Sequence, residues 1–483
     1  MLQVGTFRMI LFFIRHLFLW ATTIFTSRSF SSRALAPQEG RYWTTYKTRL
    51  DGSRQAVPLD LSNTPTEDFK FPVLFPGIDV LNHSNDAKVD WTFAPNHFSI
   101  ITNDLIADGD EVFNNYGPKG NDELLLGYGF CMPGNPDDAV ALTLKPPPEE
   151  LQKHLKVVQP GYFTQEGTWS AKQTTVRLQR PKLTTADDPA QIFYHLPEPL
   201  LELLYHIIRH EHGLGFAVLE MSIRYIASNP SEHLEASRYL PHIARALVAA
   251  LAPKLVSLQS TQPSAAPHNG RQEYASMYRG GQVRILESLI TTLRAYTRSL
   301  IDPLETKIRP LDTTVGPLDT TIRLSGPVLL DLESAITHLL GDDHISSFLG
   351  GIEANANTLD LTQLRLAGWE DDIWVLLICW LSLLSETDKA MTSVVMPEYL
   401  DPRSEDGDAV TSDELTQAES LMEIVHTADS ALRSESEDGS LWKSERWSPS
   451  FIASIGGRMA KNESFILAND DGKAKLYVLF VFK

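Results

Sequence analysis

Two stretches decide the fold of this 483-residue chain: Phe75–Ser84, which reads FPGIDVLNHS, and Asp108–Phe130, which reads DGDEVFNNYGPKGNDELLLGYGF. Between them, Phe98–Asn103 is short and rich in β-branched residues, which predicts a strand. Asp108-Gly109 is a turn signal and Val112-Phe113 a second apolar run, so a small β-unit is expected. Asn114, Asn115, Gly117 and Gly120 crowd the following positions. Asn and Gly tolerate left-handed backbone, so the chain can reverse sharply around Tyr116. Asn121-Asp122-Glu123 has the character of a helix start ahead of Leu124-Leu125-Leu126. Composition alone leaves two readings of Tyr116 open: a buried tyrosine at a strand end, or a tyrosine lining a pocket.

The same block carries five linked pieces: Asp79-x-x-Asn82-His83, Gly109-x-Glu111-Val112, Asn115-Tyr116-Gly117, Asn121-x-Glu123-Leu124 and Gly127-Tyr128-Gly129-Phe130. In this order, within the 52 residues from Asp79 to Phe130, they resemble the C-terminal catalytic half of SET-domain methyltransferases. More narrowly, they resemble the subfamily typified by the plant Rubisco large-subunit lysine methyltransferase. Trp20-Ala21 and Ser27-Arg28-Ser29-Phe30 look like the segment that precedes the block in that subfamily.

The resemblance implies an α+β chain: a SET-type β-fold catalytic half followed by a mainly α-helical, substrate-binding-like domain. It implies S-adenosylmethionine as cofactor and, as partner, a non-histone protein presenting a lysine. The segment around Asn-His is expected to be tucked under the segment bearing the tyrosine, a crossing that most folds avoid. By resemblance Asn82 and His83 hold the cofactor, Arg28 pairs with its carboxylate and Phe130 packs on its adenine. Tyr116 sits where the methyl moves, and Tyr128 lines the lysine channel. Tyr128 and Phe130 favour lysine over histidine as acceptor. Family members also begin with a Gly-x-Gly turn that cups the cofactor. Only 26 residues precede Ser27 here and none forms that turn, so the expectation is a chain lacking the N-terminal third of the catalytic domain.

The chemistry suits these residue types. A sulfonium donor is already activated, so no metal is called for. The lysine must be neutral, and at a pKa near ~10.4 its deprotonation near neutral pH costs on the order of 4 kcal/mol. An aromatic, apolar channel disfavours the ammonium, and ring faces and oxygen acceptors favour the sulfonium and its methyl.

A net charge of −19 argues against general nucleic-acid binding. The only cysteines, Cys131 and Cys379, exclude a disulfide framework and multi-cysteine zinc clusters, and favour an intracellular protein, cytoplasmic or nuclear. Met9–Phe25 is strongly apolar but carries Arg15 and His16 at its centre. It reads as a membrane span, as an organelle transit peptide, or as a buried helix and strand of the catalytic domain. The charge at its centre and the match at Trp20–Phe30 favour the last.

The first domain is expected over 1–145, with Ala36–Lys70 as a polar loop insertion. The second, over 146–483, is mainly helical. Glu198–His210, Leu234–Leu255, Arg271–Leu300 and Asp371–Glu386 are its helices, and their apolar stripes read as core. Gln259–Gly270 is a linker by composition. Asp401–Asp438 carries twelve acids and two arginines and is expected to be a solvated loop, with helix possible at Leu421–Val425. Trp442–Phe465 reads as a helix and Leu476–Phe482 as a strand-like tail. A competing function class is a non-catalytic protein-binding relative in which the SET portion is vestigial.

Overall fold

A computed structural model describes residues 15, 17–25, 27–31, 42–48, 54–60, 72–94, 97–183, 188–261, 266–301, 325–340, 342–355, 360–387, 394–400, 410–432, 441–468 and 472–483. The chain divides into two units. One holds residues 1–139 and 263–282, the other 140–262 and 283–483.

The first unit is built from short strand pairs. Ser29–Ser31 runs antiparallel to Pro72–Leu74, and Val89–Ala94 to His97–Thr102, where the β-branched run predicted a strand. Asn82–His83 pairs in parallel with Phe113–Asn114, in register Asn82↔Phe113 and His83↔Asn114. The expected helix is present as Asn121–Tyr128, with Gly120 as its N-cap. It ends at Gly129, whose left-handed φ of 83° lets its N–H close on the Leu124 and Leu125 carbonyls. That reversal sends Phe130 back towards the strands.

Two expectations for this unit need correction. Within Ala36–Lys70, read as a loop, Tyr42–Thr48 and Arg54–Asp60 form an antiparallel hairpin. Thr, Tyr, Trp and Val give these runs strand propensity that the polar surroundings hid. The rest of 36–70 lies outside the described residues. Residues 17–25 are helical as expected, but Leu17, Phe18, Trp20 and Phe25 are exposed, so the helix is not a buried one. Met9–Ile14 and His16 lie outside the described residues.

The second unit is mainly helical. Its core takes the apolar face of Glu198–Glu211, most of the first turns of Tyr239–Ser260 and every side of Glu370–Thr387 around Leu376–Leu381, together with Ile285, Leu289 and Leu293 from Gly270–Ser299. Among the described residues one helix, Leu234–Ser260, is long and apolar enough to cross a membrane. Leu240, Ile243, Ala244, Leu247 and Leu251 of that segment are buried in the core.

The acidic stretch is not a loop where it is described: Ser412–Leu432 is a helix of 21 residues. Ala418, Leu421, Val425 and Ala428 recur at helical spacing and are buried, and that stripe outweighs the flanking charge. The C-terminal end corrects a second boundary. Pro449–Glu463 is helical, with a π-helical turn at Ile452–Gly457, but Ser464–Ala468 has left the helix as a strand. It pairs with the expected tail strand Ala474–Phe482, whose other edge holds Gly326–Leu330, a strand the sequence reading did not place. The π turn needs a glycine. A Cβ at Gly456 would collide with the Val375 carbonyl and lie 2.7 Å from Cys379 Sγ.

A charged group is sealed in this core. Glu463 is fully buried, accepts from Tyr399 Oη at 2.8 Å and from His242 Nε2 at 2.9 Å, and faces Arg238 Nη1 at 3.6 Å. Arg245 donates to His242 Nδ1 at 2.9 Å, so His242 is the Nε2–H tautomer. Burial pushes the Glu463 pKa up, but His242 and Arg238 outweigh it and hold it at about 2. Burial, with His242 adding to it, brings His212 down to about 3.

Both groups bind fewer protons folded than unfolded in mild acid. The Glu463 contribution is complete above about 4.5 and is lost as pH falls towards 2; the His212 term erodes stability from about 6.5 towards 3. The denaturant midpoint is therefore expected to fall steadily between pH 7 and pH 4. At pH 7, Glu463→Ala, which leaves Arg238 with Glu235 as its remaining carboxylate and strips Tyr399 and His242 of their acceptor, is expected to lower unfolding free energy by about 3 kcal/mol. Urea titration followed by circular dichroism checks both; a midpoint flat in pH would contradict the first.

Candidate active site

Three segments far apart in sequence meet around Tyr116. Its backbone N–H donates to His83 Nδ1 at 3.1 Å, and its hydroxyl donates to the Leu81 carbonyl at 2.7 Å. Its ring is stacked on both faces: His83 lies 4.9 Å away at 15° and Tyr128 lies 4.8 Å away at 28°. Phe130 closes the group, with its centroid 6.3 Å from both His83 and Tyr128. From the third segment, Arg28 donates through Nη1 to the Asp79 carbonyl. Asn82 is exposed and donates to Glu111 Oε1 at 2.7 Å. All six residues singled out by sequence thus gather in one region of the first unit.

The local framework explains how. The parallel bridge between Asn82–His83 and Phe113–Asn114 is extended by Ser84 N–H donating to the Asn114 carbonyl at 3.0 Å. Asn114 is buried, and its side-chain oxygen accepts from Trp91 Nε1 at 3.2 Å and from the Asn115 N–H at 2.8 Å. Asn115 donates to the carbonyls of Asn85 and Ala87 and accepts from the Gly117 N–H at 2.9 Å. Gly117 takes a φ of 89°, a left-handed turn that releases the chain just after Tyr116. A cavity of about 570 Å³ opens at the same framework, lined by Asn85, Lys88, Trp91, Asn115 and Gly117 among others.

The electrostatics keep the site uncharged at its centre. Burial lowers the His83 pKa against the opposing pull of Asn85 and the Asn114 carbonyl, so the imidazole is neutral near pH 7. Because Nδ1 accepts from a backbone amide, the proton sits on Nε2, which is buried with no partner in bonding geometry. Burial raises the pKa of both Tyr116 and Tyr128, with Arg28 partly offsetting the rise at Tyr116. Both are phenols, not phenolates. Lys119 Nζ stands 6.0 Å over the Tyr128 ring, an ammonium attracted to that aromatic face. Among the described residues no group of His, Cys, Asp or Glu is arranged to hold a metal.

Sequence reasoning assigned no role to Leu81, Asn85 or Asn114. Leu81 acts through its carbonyl, which carries no residue signature. Asn114 was flagged only as a turn former, and its side chain acts as an acceptor at the crossing. Glu111 and Asn115 lay inside the quoted motifs without a role; their partners are now Asn82 and the 85–87 turn.

No family model matches the chain. It is similar to ribosomal lysine N-methyltransferase set10 of Schizosaccharomyces pombe, 26% identical over 394 residues, which cover 79% of this chain and 58% of that protein. It is similar over 75 residues to ribosomal lysine N-methyltransferase 1 of Saccharomyces cerevisiae, at 44% identity, covering 16% of this chain and 13% of that one. Over 170 residues it is similar to protein-lysine N-methyltransferase EFM1 of the same yeast, at 31% identity, covering 34% and 25%. The chain thus spans little more than half the length of the first relative and less of the others. All three relatives are named as lysine N-methyltransferases.

The helix that carries Tyr128 is tied down by one side chain. Buried Asn121 donates to the Met132 carbonyl at 2.8 Å and to Asp138 Oδ2 at 2.9 Å, and accepts from the Met132 N–H at 2.7 Å. Asn121→Ala removes all three and leaves buried acceptors behind. It is expected to cost about 2–4 kcal/mol, with faster hydrogen exchange over residues 121–138. Exchange unchanged in that segment would show that the clamp is not what holds the helix.

Proposed function

We propose that the chain is an S-adenosylmethionine-dependent protein-lysine N-methyltransferase with a SET-type site in its first unit, related to the Rubisco large-subunit methyltransferase-like subfamily and acting on a non-histone protein. The observation that carries this is the meeting of Arg28, Asn82, His83, Tyr116, Tyr128 and Phe130, from three separate segments, around one half-buried tyrosine, Tyr116. Two relatives are named as ribosomal lysine methyltransferases, which makes a ribosomal protein the first acceptor to try. Both cysteines are free and buried, which supports an intracellular setting.

The donor set fits the proposed cofactor. A sulfonium cation favours aromatic faces, and this site offers Tyr116, Tyr128 and Phe130 with no ionised phenol among them. His83 presents a buried Nε2–H that no acceptor meets in full bonding geometry. Asn82 and His83 would hold the cofactor, Arg28 its carboxylate and Phe130 its adenine. When bound, the cofactor supplies an electrophilic methyl group.

The chain's own residues do the rest. The Tyr116 hydroxyl donates a hydrogen bond to the Leu81 carbonyl, so its oxygen lone pairs are free to accept a polarised C–H. As a phenol whose pKa is raised by burial, it positions rather than deprotonates. The aromatic surface of Tyr128 makes the neutral amine the better occupant of the channel once water is displaced.

One observation favours the non-catalytic alternative. Tyr128 lies flat on Tyr116 at 4.8 Å, which leaves no slot between the rings. If that contact persists, the chain binds protein without turnover.

Calorimetry of the purified chain with S-adenosylmethionine, together with transfer of a labelled methyl group to isolated ribosomal proteins, separates the two. Binding and transfer are expected, with Tyr116→Phe reducing turnover by at least ~10²-fold while cofactor affinity stays within a few-fold. Cofactor binding with no transfer to any offered protein would favour the alternative, and equal turnover in Tyr116→Phe would remove that hydroxyl from the mechanism.

A further inference from the structure

A second cavity, of about 510 Å³, lies in the second unit between the helices Glu149–Val158 and Glu198–Glu211 and the loop that follows the latter. His206, Arg209 and His210 line it from one helical face, at i, i+3 and i+4, and His154 lines it from the other helix. Phe216 is clamped between two imidazoles: His154 stacks on it at 5.0 Å and 7°, and His206 at 4.5 Å and 27°. Two of the lining side chains are more than nine-tenths buried and keep a nitrogen without a partner, Nε of Arg209 and Nδ1 of His206.

The guanidinium is otherwise well occupied. Its Nη1 is paired with Glu398 at 3.1 Å, and its faces lie over the rings of Tyr205 and Tyr239 at 5.6 and 5.7 Å. Those contacts use one edge and the π-faces. The in-plane Nε–H is left buried, which costs about 1–3 kcal/mol unless something accepts it. Folding keeps that cost at a cavity wall, and the economical explanation is an acceptor that arrives from outside.

We infer that this cavity binds a carboxylate, taking the Arg209 Nε–H and a ring N–H of His206, with Leu151, Leu214 and Phe216 around its aliphatic stem. The charge balance points to a monoanion. There is one guanidinium, already shared with Glu398, and Glu150 stands in the lining, so a doubly charged phosphate would meet too little positive charge. Burial, with Arg209 beside it, lowers His206 to about 4, so it offers a neutral donor and no second cation. A flat, singly charged acceptor matches one in-plane N–H and one imidazole N–H. The carboxylate comes either from an acidic side chain of a protein partner or from a small free acid.

Diethyl pyrocarbonate footprinting of the full wild-type chain, read residue by residue by mass spectrometry, tests this without a variant. Butyrate and an N-acetylated, C-amidated peptide with a single glutamate, both singly charged carboxylates, are the probes, and sulfate is the control. Protection of His154 and His210, the lining imidazoles the reagent can reach, by the peptide alone supports a protein partner as the source; protection by both probes supports a carboxylate site open to small acids. Protection by neither, or equal protection by sulfate, overturns the proposal. Calorimetry supplies the second arm. His206→Phe keeps the stack on Phe216 and removes both nitrogens, and Arg209→Gln removes the charge; each is expected to weaken binding at least tenfold. Unchanged affinity in a folded His206→Phe would also overturn it.

Discussion

The four-residue parallel bridge between Asn82–His83 and Phe113–Asn114 is the contact on which the first unit depends. Parallel neighbours cannot be joined by a tight turn, so the chain must travel out through Val89–Thr102 and return before the two pairs meet. Once they meet, three things follow without further adjustment. His83 Nδ1 faces the Tyr116 amide, the Tyr116 hydroxyl reaches the Leu81 carbonyl, and Asn114 is buried where it accepts from Trp91. Each of these bonds joins residues at least 23 apart in sequence, so none forms until the crossing does.

That constraint explains the chemical character of the site. A tyrosine gripped at its amide, its hydroxyl and both ring faces has few conformations left, and positioning is the contribution that group transfer from an activated donor most needs. The same burial raises both tyrosine pKa values and lowers that of His83, so the centre is uncharged at neutral pH. An uncharged aromatic centre suits the cationic donor and the neutral amine proposed for it.

The second unit is organised on another principle. Its apolar stripes build a large core, and within it Glu463 gathers Tyr399, His242 and Arg238 around one buried carboxylate. Such a cluster adds little net stability compared with an apolar replacement, but it accepts only one arrangement of the helix and strands that carry it. Arg209 shows the complementary case, a buried guanidinium whose partners in the fold leave one donor over.

Local sequence was enough to show where most elements lie. The Phe98–Asn103 run, the Asn121 helix start and the stripes of Glu198–His210 and Asp371–Glu386 were legible because their periodicity or turn chemistry acts over a few residues. Where local signals competed, the reading failed. Charge hid the buried stripe of Ser412–Leu432, polar surroundings hid the hairpin Tyr42–Thr48/Arg54–Asp60, and the strand Gly326–Leu330 was too short to register before its partner Ala474–Phe482 was known. Only the tertiary structure decided that Leu81 and Asn114 matter, that Tyr116 lies between His83 and Tyr128, and that Glu463 and Arg209 are buried. Those facts belong to contacts between distant segments, whose loop-closure entropy is met by many packed neighbours at once and is written in no single stretch of the chain.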